Sequence, residues 1–152
     1  MKPNQYKVTF SWQGLLAMFL LQFPNIIWMI WPPANNPLAM NSTPWTILDI
    51  LENGSLVLMM LSLIFIRPKH RSTSAYAKPF LIASGVSILA YYALWVLYTS
   101  AVFAPVVFLG MAVFPVLYYT FLTLRVQNYI ALPIIGLFAI LHIGITSYNF
   151  LF

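Results

Sequence analysis

Two acidic side chains lie inside a stretch of sequence that is otherwise apolar enough to cross a membrane. Asp49 and Glu52 are the only acidic residues of the chain, and they fall three positions apart within residues 45–66. A carboxylate at the centre of a spanning helix costs on the order of 2.5–3.5 kcal/mol, so it is a functional candidate by default. The chemistry it offers there is to hold a proton or to bind a cation.

The spacing of these residues places them on one face of a helix. Asp49, Glu52 and Asn53 stand at positions i, i+3 and i+4, which lie on the same side of a helix. Two carboxyl groups one turn apart in a low dielectric cannot both ionise cheaply, so we expect a protonated carboxyl or a shared cation. For Asp49 the alternative is a simple role at the helix start, where the positive end of the helix dipole favours it. We therefore expect the deeper Glu52 to matter most.

Polar and aromatic side chains at a matching depth occur on three other apolar segments. Asn25 follows Pro24, and because proline has no N–H, the carbonyl of Leu20 lacks its helical donor at the same depth. If the segments pack side by side, these groups converge near Glu52 and line a pocket. The predicted binding residues are Asn25, Asp49, Glu52, Asn53, Tyr91, Tyr92, Trp95 and His142.

The single histidine of this set admits more than one role. An imidazole within a membrane helix commonly holds two helices together through a hydrogen bond. Together with Asp49 and Glu52, His142 could also complete a metal site of two carboxylates and one imidazole. Whether a metal binds is left open by the sequence, and no other cofactor is expected.

Bilayer-spanning helices must position all of these side chains. About 20 residues at 1.5 Å each cross a hydrocarbon core of about 30 Å. Five segments of this kind occupy residues 11–31, 45–66, 79–99, 103–124 and 129–151. A soluble domain has about 25% charged residues, whereas this chain has 6% and is 62% hydrophobic. The prediction is an all-α integral membrane protein, in which residues 1–152 form a single compact bundle of five transmembrane helices.

The basic residues predict how the bundle is oriented. All seven Lys and Arg residues fall on one side of the predicted bundle, which the positive-inside rule assigns to the cytoplasm. The N-terminus is then cytoplasmic, the C-terminus is external, and the acidic pair lies in the external half. The net charge of +5 thus indicates topology and contacts of the basic turn 67–78 with anionic lipids, not a nucleic-acid partner. We expect a multi-pass protein of the cell membrane, from a bacterium.

An acidic and aromatic pocket inside the membrane favours a small transporter or ligand-binding protein for a cation, a proton or a cationic amphiphile. One alternative is a membrane-embedded enzyme with a lipid or isoprenoid substrate and Glu52 or Asp49 as its acid–base group. The lack of an H-E-x-x-H or G-x-S-x-G motif speaks against an enzyme. A second alternative is that the protein is an accessory or immunity subunit of a larger membrane complex. A bundle of five helices is compatible either with a single copy that encloses the pocket or with a homodimer that shares it.

Overall fold

Five long helices account for most of the chain. A computed structural model of the protein describes residues 5–70 and 74–152. The helices are α1 (Trp12–Ile30), α2 (Thr46–Phe65), α3 (Ala77–Thr99), α4 (Pro105–Val126) and α5 (Ala131–Leu151). Each is long and apolar enough to cross a membrane, and each begins and ends within two residues of its predicted position. The predicted five-helix membrane fold is therefore confirmed, while the orientation of its termini stays a prediction.

The helices form a ring that does not follow chain order. α3 packs along α4, α4 along α5, α5 along α2 and α2 along α1, whereas α1 and α3 meet only loosely. α4 is the most buried of the five, and its Tyr119 is fully buried together with Met59 of α2 and Tyr98 of α3. Large side chains thus fill the centre, and the seam between α1 and α3 is the weakest part of the ring.

Tyrosine hydroxyls fasten α1 to its neighbours where its own hydrogen bonding is interrupted. Pro24 lies inside α1 and has no N–H for the carbonyl of Leu20. The hydroxyl of Tyr92 donates to that carbonyl over 2.6 Å, which confirms the free acceptor predicted there. About one turn earlier, the hydroxyl of Tyr118 donates to the carbonyl of Ala17 over 3.2 Å. α1 is thereby held to α3 and α4.

A small antiparallel sheet, which we did not predict, joins the start of the chain to the end of α2. Strand β1 (Tyr6–Val8) pairs with β2 (Ile66–Pro68), with Lys7 opposite Arg67. All Lys and Arg residues that the structure describes lie at this end of the bundle, which we call the basic end: Lys7, Arg67, Lys69, Lys78 and Arg125.

Asn128, in the turn between α4 and α5, caps the end of α2. Its Nδ2 donates to the carbonyl oxygens of Ser62 at 2.9 Å and Ile66 at 3.0 Å. Ser62 lies in the last turn of α2 and Ile66 directly follows the helix, and Asn128 is only 1% exposed. The turn adopts a left-handed conformation at Gln127, with φ of 59°. The α4–α5 turn is thereby fixed to α2.

Gly14 permits the close approach of α1 to the end of α2. A Cβ at this position would lie 2.2 Å from the carbonyl oxygen of Leu63, so Gly14→Ala must push the two helices apart. We expect a loss of about 1–3 kcal/mol in the free energy of unfolding, seen as a lower Tm in detergent. Gly136→Ala is the matched control, because nothing lies within 4 Å of its added Cβ. Equal melting temperatures for the two variants would contradict the close packing.

Candidate functional site

The structure brings Glu52 of α2 and His142 of α5 into direct contact. Nδ1 of the imidazole lies 2.6 Å from Oε1 of the carboxyl group, and the two side chains are only 24% and 15% exposed, respectively. At this distance one group must donate a proton to the other, either Nδ1–H to a carboxylate or a carboxylic acid to Nδ1. The ring of Phe138 stacks on the imidazole with centroids 4.8 Å apart. The pair is therefore both hydrogen-bonded and held in orientation.

A cavity of about 130 Å³ lies beside this pair, at the end of the bundle opposite the basic end. All five helices and the α1–α2 loop contribute to its wall. Its volume corresponds to about four water molecules at roughly 30 Å³ each. We call it the polar cavity, after its polar lining residues Gln22, Asn25, Asn41, Tyr91, Trp95, Tyr119, His142 and Thr146.

Two lining side chains carry a buried donor for which the described residues provide no acceptor. Within the described part of the chain, the indole N–H of Trp95 and the hydroxyl of Tyr119 have no hydrogen-bond partner. These residues are 6% and 0% exposed, and an unpaired buried donor costs about 1–3 kcal/mol. Such groups usually meet water or a ligand. The polar cavity is therefore suited to an occupant that accepts hydrogen bonds.

Asn25 connects α1 to α3 at the wall of the polar cavity. Its Oδ1 accepts a hydrogen bond of 3.4 Å from the hydroxyl of Tyr91, and its Nδ2 donates to Oε1 of Gln22 over 2.7 Å. Of the predicted binding residues, the structure thus brings Asn25, Tyr91, Trp95 and His142 to the cavity wall, and Glu52 joins them through His142.

The other three predicted residues lie away from the polar cavity. The carboxyl group of Asp49 accepts a hydrogen bond of 3.2 Å from the backbone N–H of Thr43, near the start of α2. Asn53 is exposed and donates to the carbonyl of Asp49 in its own helix. Tyr92 donates to α1, as described above.

The metal site considered from the sequence is not assembled in the structure. In residues 5–70 and 74–152, no three His, Asp, Glu or Cys side chains come together as a metal-binding group. Glu52 and His142 meet each other, whereas Asp49 is engaged by Thr43. The set of two carboxylates and one imidazole is therefore divided between two places.

The loop between α1 and α2 covers the polar cavity. It contains a short 3₁₀ helix, Pro37–Met40. Asn36 accepts hydrogen bonds from the indole of Trp28 at 2.8 Å and from the hydroxyl of Tyr98 at 2.7 Å. Asn149 of α5 donates to Oδ1 of Asn41 over 2.9 Å, and Asn41 also lines the cavity. The cover is therefore tied to α1, α3 and α5.

The predicted binding residues do not include four of the polar lining residues: Gln22, Asn41, Tyr119 and Thr146. Asn41 belongs to a loop, and loop conformation was not predicted. Tyr119 stands four residues after Pro115 in α4, so the two share a helix face. Pro115 leaves the carbonyl of Met111 without its helical donor. A proline within an apolar segment, followed by a tyrosine four residues later, was thus the sequence feature that could have indicated Tyr119.

Comparison with known proteins gives no match for this arrangement. The chain matches no protein-family model, no curated protein and no solved structure. Function is therefore inferred from the chemistry of the polar cavity and of the Glu52–His142 pair.

A double-mutant cycle measures the strength of this pair. We expect Glu52→Gln and His142→Gln each to lower the free energy of unfolding, and the double variant to lose less than their sum. The coupling should be about 1.5–3 kcal/mol, as for a hydrogen bond to a charged group. As a control, Asp49→Asn and His142→Gln share no contact and should be additive within about 0.5 kcal/mol. Additive effects for Glu52 and His142 would show that the contact is not made.

Proposed function

We propose that this protein is a small membrane transporter or ligand-binding protein that takes a proton or a small cation into the polar cavity. The observation that carries the proposal is the 2.6 Å contact between Glu52 and His142 at the wall of a polar cavity. A carboxyl group and an imidazole in contact share a proton between them and together offer binding groups for a proton or a cation. Ionisable side chains are costly to place within membrane-length helices and are rare there. Such a pair is therefore a candidate for function.

The pair can exist in three protonation states that differ by one charge each. A carboxylate beside a neutral imidazole carries a charge of −1 and attracts a cation. Gain of one proton gives an imidazolium beside the carboxylate, with no net charge. A second proton gives an imidazolium beside a carboxylic acid and repels a cation. Proton uptake at Glu52 and His142 can therefore drive release of a cation held nearby, which is the basis of exchange.

The size and lining of the polar cavity favour a small occupant over an amphiphile. A volume of about 130 Å³ accommodates an ion with a few water molecules. Water oxygens can accept hydrogen bonds from the unpaired donors of Trp95 and Tyr119 and still face the ion. The aromatic rings of the wall also attract positive charge, most strongly where water is excluded. The proposed occupant is thus a partly hydrated proton or monovalent cation.

The direction of access follows from charge placement. All described Lys and Arg residues lie at the basic end, which the positive-inside rule assigns to the cytoplasm. The polar cavity then lies on the external side, beneath the loop tied by Asn36 and Asn41.

Flux measurements in liposomes test the assignment of Glu52. We expect purified protein to carry protons, or to exchange Na⁺ or K⁺ for protons, when a gradient is imposed across vesicles that contain a pH-sensitive dye. Glu52→Gln keeps the size of the side chain but cannot ionise, so we expect its flux to fall to the rate of empty vesicles.

Asp49→Asn is the matched control for this experiment, because it removes the other acid of the same helix. The carboxyl group of Asp49 contacts Thr43 and does not line the polar cavity, so flux should be retained. Flux of Glu52→Gln at the level of the wild-type protein would overturn the proposal. So would a loss of flux in Asp49→Asn alone.

Removal of one unpaired donor tests whether the polar cavity holds the occupant. Bound cation stabilises the folded state by mass action, so we expect Tm to rise with cation concentration. Tyr119→Phe should reduce this rise without lowering Tm in cation-free buffer, because the hydroxyl has no partner among the described residues. Tyr148→Phe is the control, since Tyr148 is 52% exposed. Equal cation dependence in both variants would place the occupant elsewhere.

A further inference from the structure

A second and larger cavity lies near the basic end of the bundle. It has a volume of about 310 Å³ and runs between α1, α3 and α4. It shares no lining residue with the polar cavity, and the proposed function does not involve it. We call it the basic groove.

The walls of the basic groove are apolar and reach the lipid-facing surface. Leu16 and Leu20 of α1 and Leu81 of α3 line it, and these side chains are 62%, 46% and 45% exposed. α1 and α3 meet only loosely along this seam, so the groove is open towards the hydrocarbon. An apolar chain can enter it from the side of the bilayer.

Two arginines line the same groove at the basic end. Arg67 follows α2 in strand β2, and Arg125 is in the last turn of α4. Neither guanidinium has a hydrogen-bond or ion-pair partner among the residues that the structure describes. The two acidic residues of the chain cannot compensate them, because Asp49 and Glu52 are engaged at the other end. A pair of uncompensated guanidinium groups is a strong attractor for phosphate.

We propose that the basic groove binds an anionic phospholipid, with one acyl chain between α1 and α3 and the phosphate between Arg67 and Arg125. The apolar walls of the basic groove suit the acyl chain of such a lipid, and the two arginines suit its phosphate. In a zwitterionic lipid such as phosphatidylcholine the headgroup's own ammonium already offsets the phosphate charge, so its attraction to the two arginines is weaker. A free phosphate leaves the apolar walls uncovered. The basic end also faces the cytoplasmic leaflet under the positive-inside rule, and that leaflet is rich in anionic lipid.

Gly85 provides a way to block the groove without disturbing the helices. It lines the basic groove, and nothing lies within 4 Å of a Cβ added to it. Gly85→Leu therefore places a side chain into the space proposed for the acyl chain. Gly136→Leu is the matched control, because its Cβ also meets nothing within 4 Å and Gly136 lines neither cavity.

Native mass spectrometry of detergent-purified protein measures binding directly. The probes are phosphatidylglycerol and phosphatidylcholine with identical acyl chains, and glycerol phosphate as the headgroup without chains. We expect the wild-type protein to retain one phosphatidylglycerol in preference to phosphatidylcholine. Gly85→Leu should lose that bound lipid, and Gly136→Leu should keep it. Arg125→Gln alters an exposed side chain at a helix end, and it should weaken phosphatidylglycerol binding about fivefold while sparing phosphatidylcholine.

Several results would overturn the proposal. Equal retention of the two lipids by the wild-type protein would mean that the arginines do not select charge. Equal retention by Gly85→Leu and Gly136→Leu would place the lipid elsewhere on the surface. Displacement of phosphatidylglycerol by glycerol phosphate at equal concentration would assign the site to a free phosphate. If Gly85→Leu fails to fold, Arg125→Gln decides alone: unchanged preference for phosphatidylglycerol contradicts the proposal.

Discussion

Lipid offers no hydrogen bonds, so a backbone carbonyl that loses its helical donor within the membrane must find another donor in the protein. This constraint decides how the helices of this bundle meet. Pro24 leaves the carbonyl of Leu20 without its donor, and the Tyr92 hydroxyl of α3 supplies one. That bond fixes α1 against α3, and Asn25, which follows Pro24, also meets Tyr91, which precedes Tyr92. The hydrogen bond that replaces the donor lost at Pro24 thus also positions the part of the cavity wall formed by Asn25 and Tyr91.

The two ends of the bundle differ in chemistry and in the way they are held together. At the basic end, backbone pairing of β1 with β2 and the amide of Asn128 connect the chain start, α2 and the α4–α5 turn. At the other end, side-chain amides and hydroxyls of the loop and of α3 and α5 make the ties. Arg67 and Arg125 line the basic groove, whereas the Glu52–His142 pair lies at the wall of the polar cavity, so the two cavities differ in the ionisable groups beside them.

The sequence predicts the helices well because bilayer thickness sets the length of an apolar segment, and no tertiary contact is needed to see it. The sheet is different: Tyr6–Val8 has no distinctive pattern and becomes a strand only because the end of α2 lies beside it. For the site, the spacing of Glu52 and Asn53 predicted that both lie on one side of α2. In the structure, the side of α2 that faces the bundle interior is marked by the buried residues Ser55, Met59 and Ser62. Glu52 lies on that side and Asn53 on the outer one. Helix packing, which the sequence does not state, makes this choice.

The hydrogen bonds that hold the α1–α2 loop over the polar cavity are of a kind that depends little on salt concentration. Asn36, Asn41 and Asn149 are uncharged amides, and the indole of Trp28 and the hydroxyl of Tyr98 donate to Asn36, so these contacts involve no carboxylate, ammonium or guanidinium group. Dissolved salt screens charges but hardly affects hydrogen bonds between neutral groups. These hydrogen bonds therefore hold the α1–α2 loop in place whether the surrounding medium is dilute or saline.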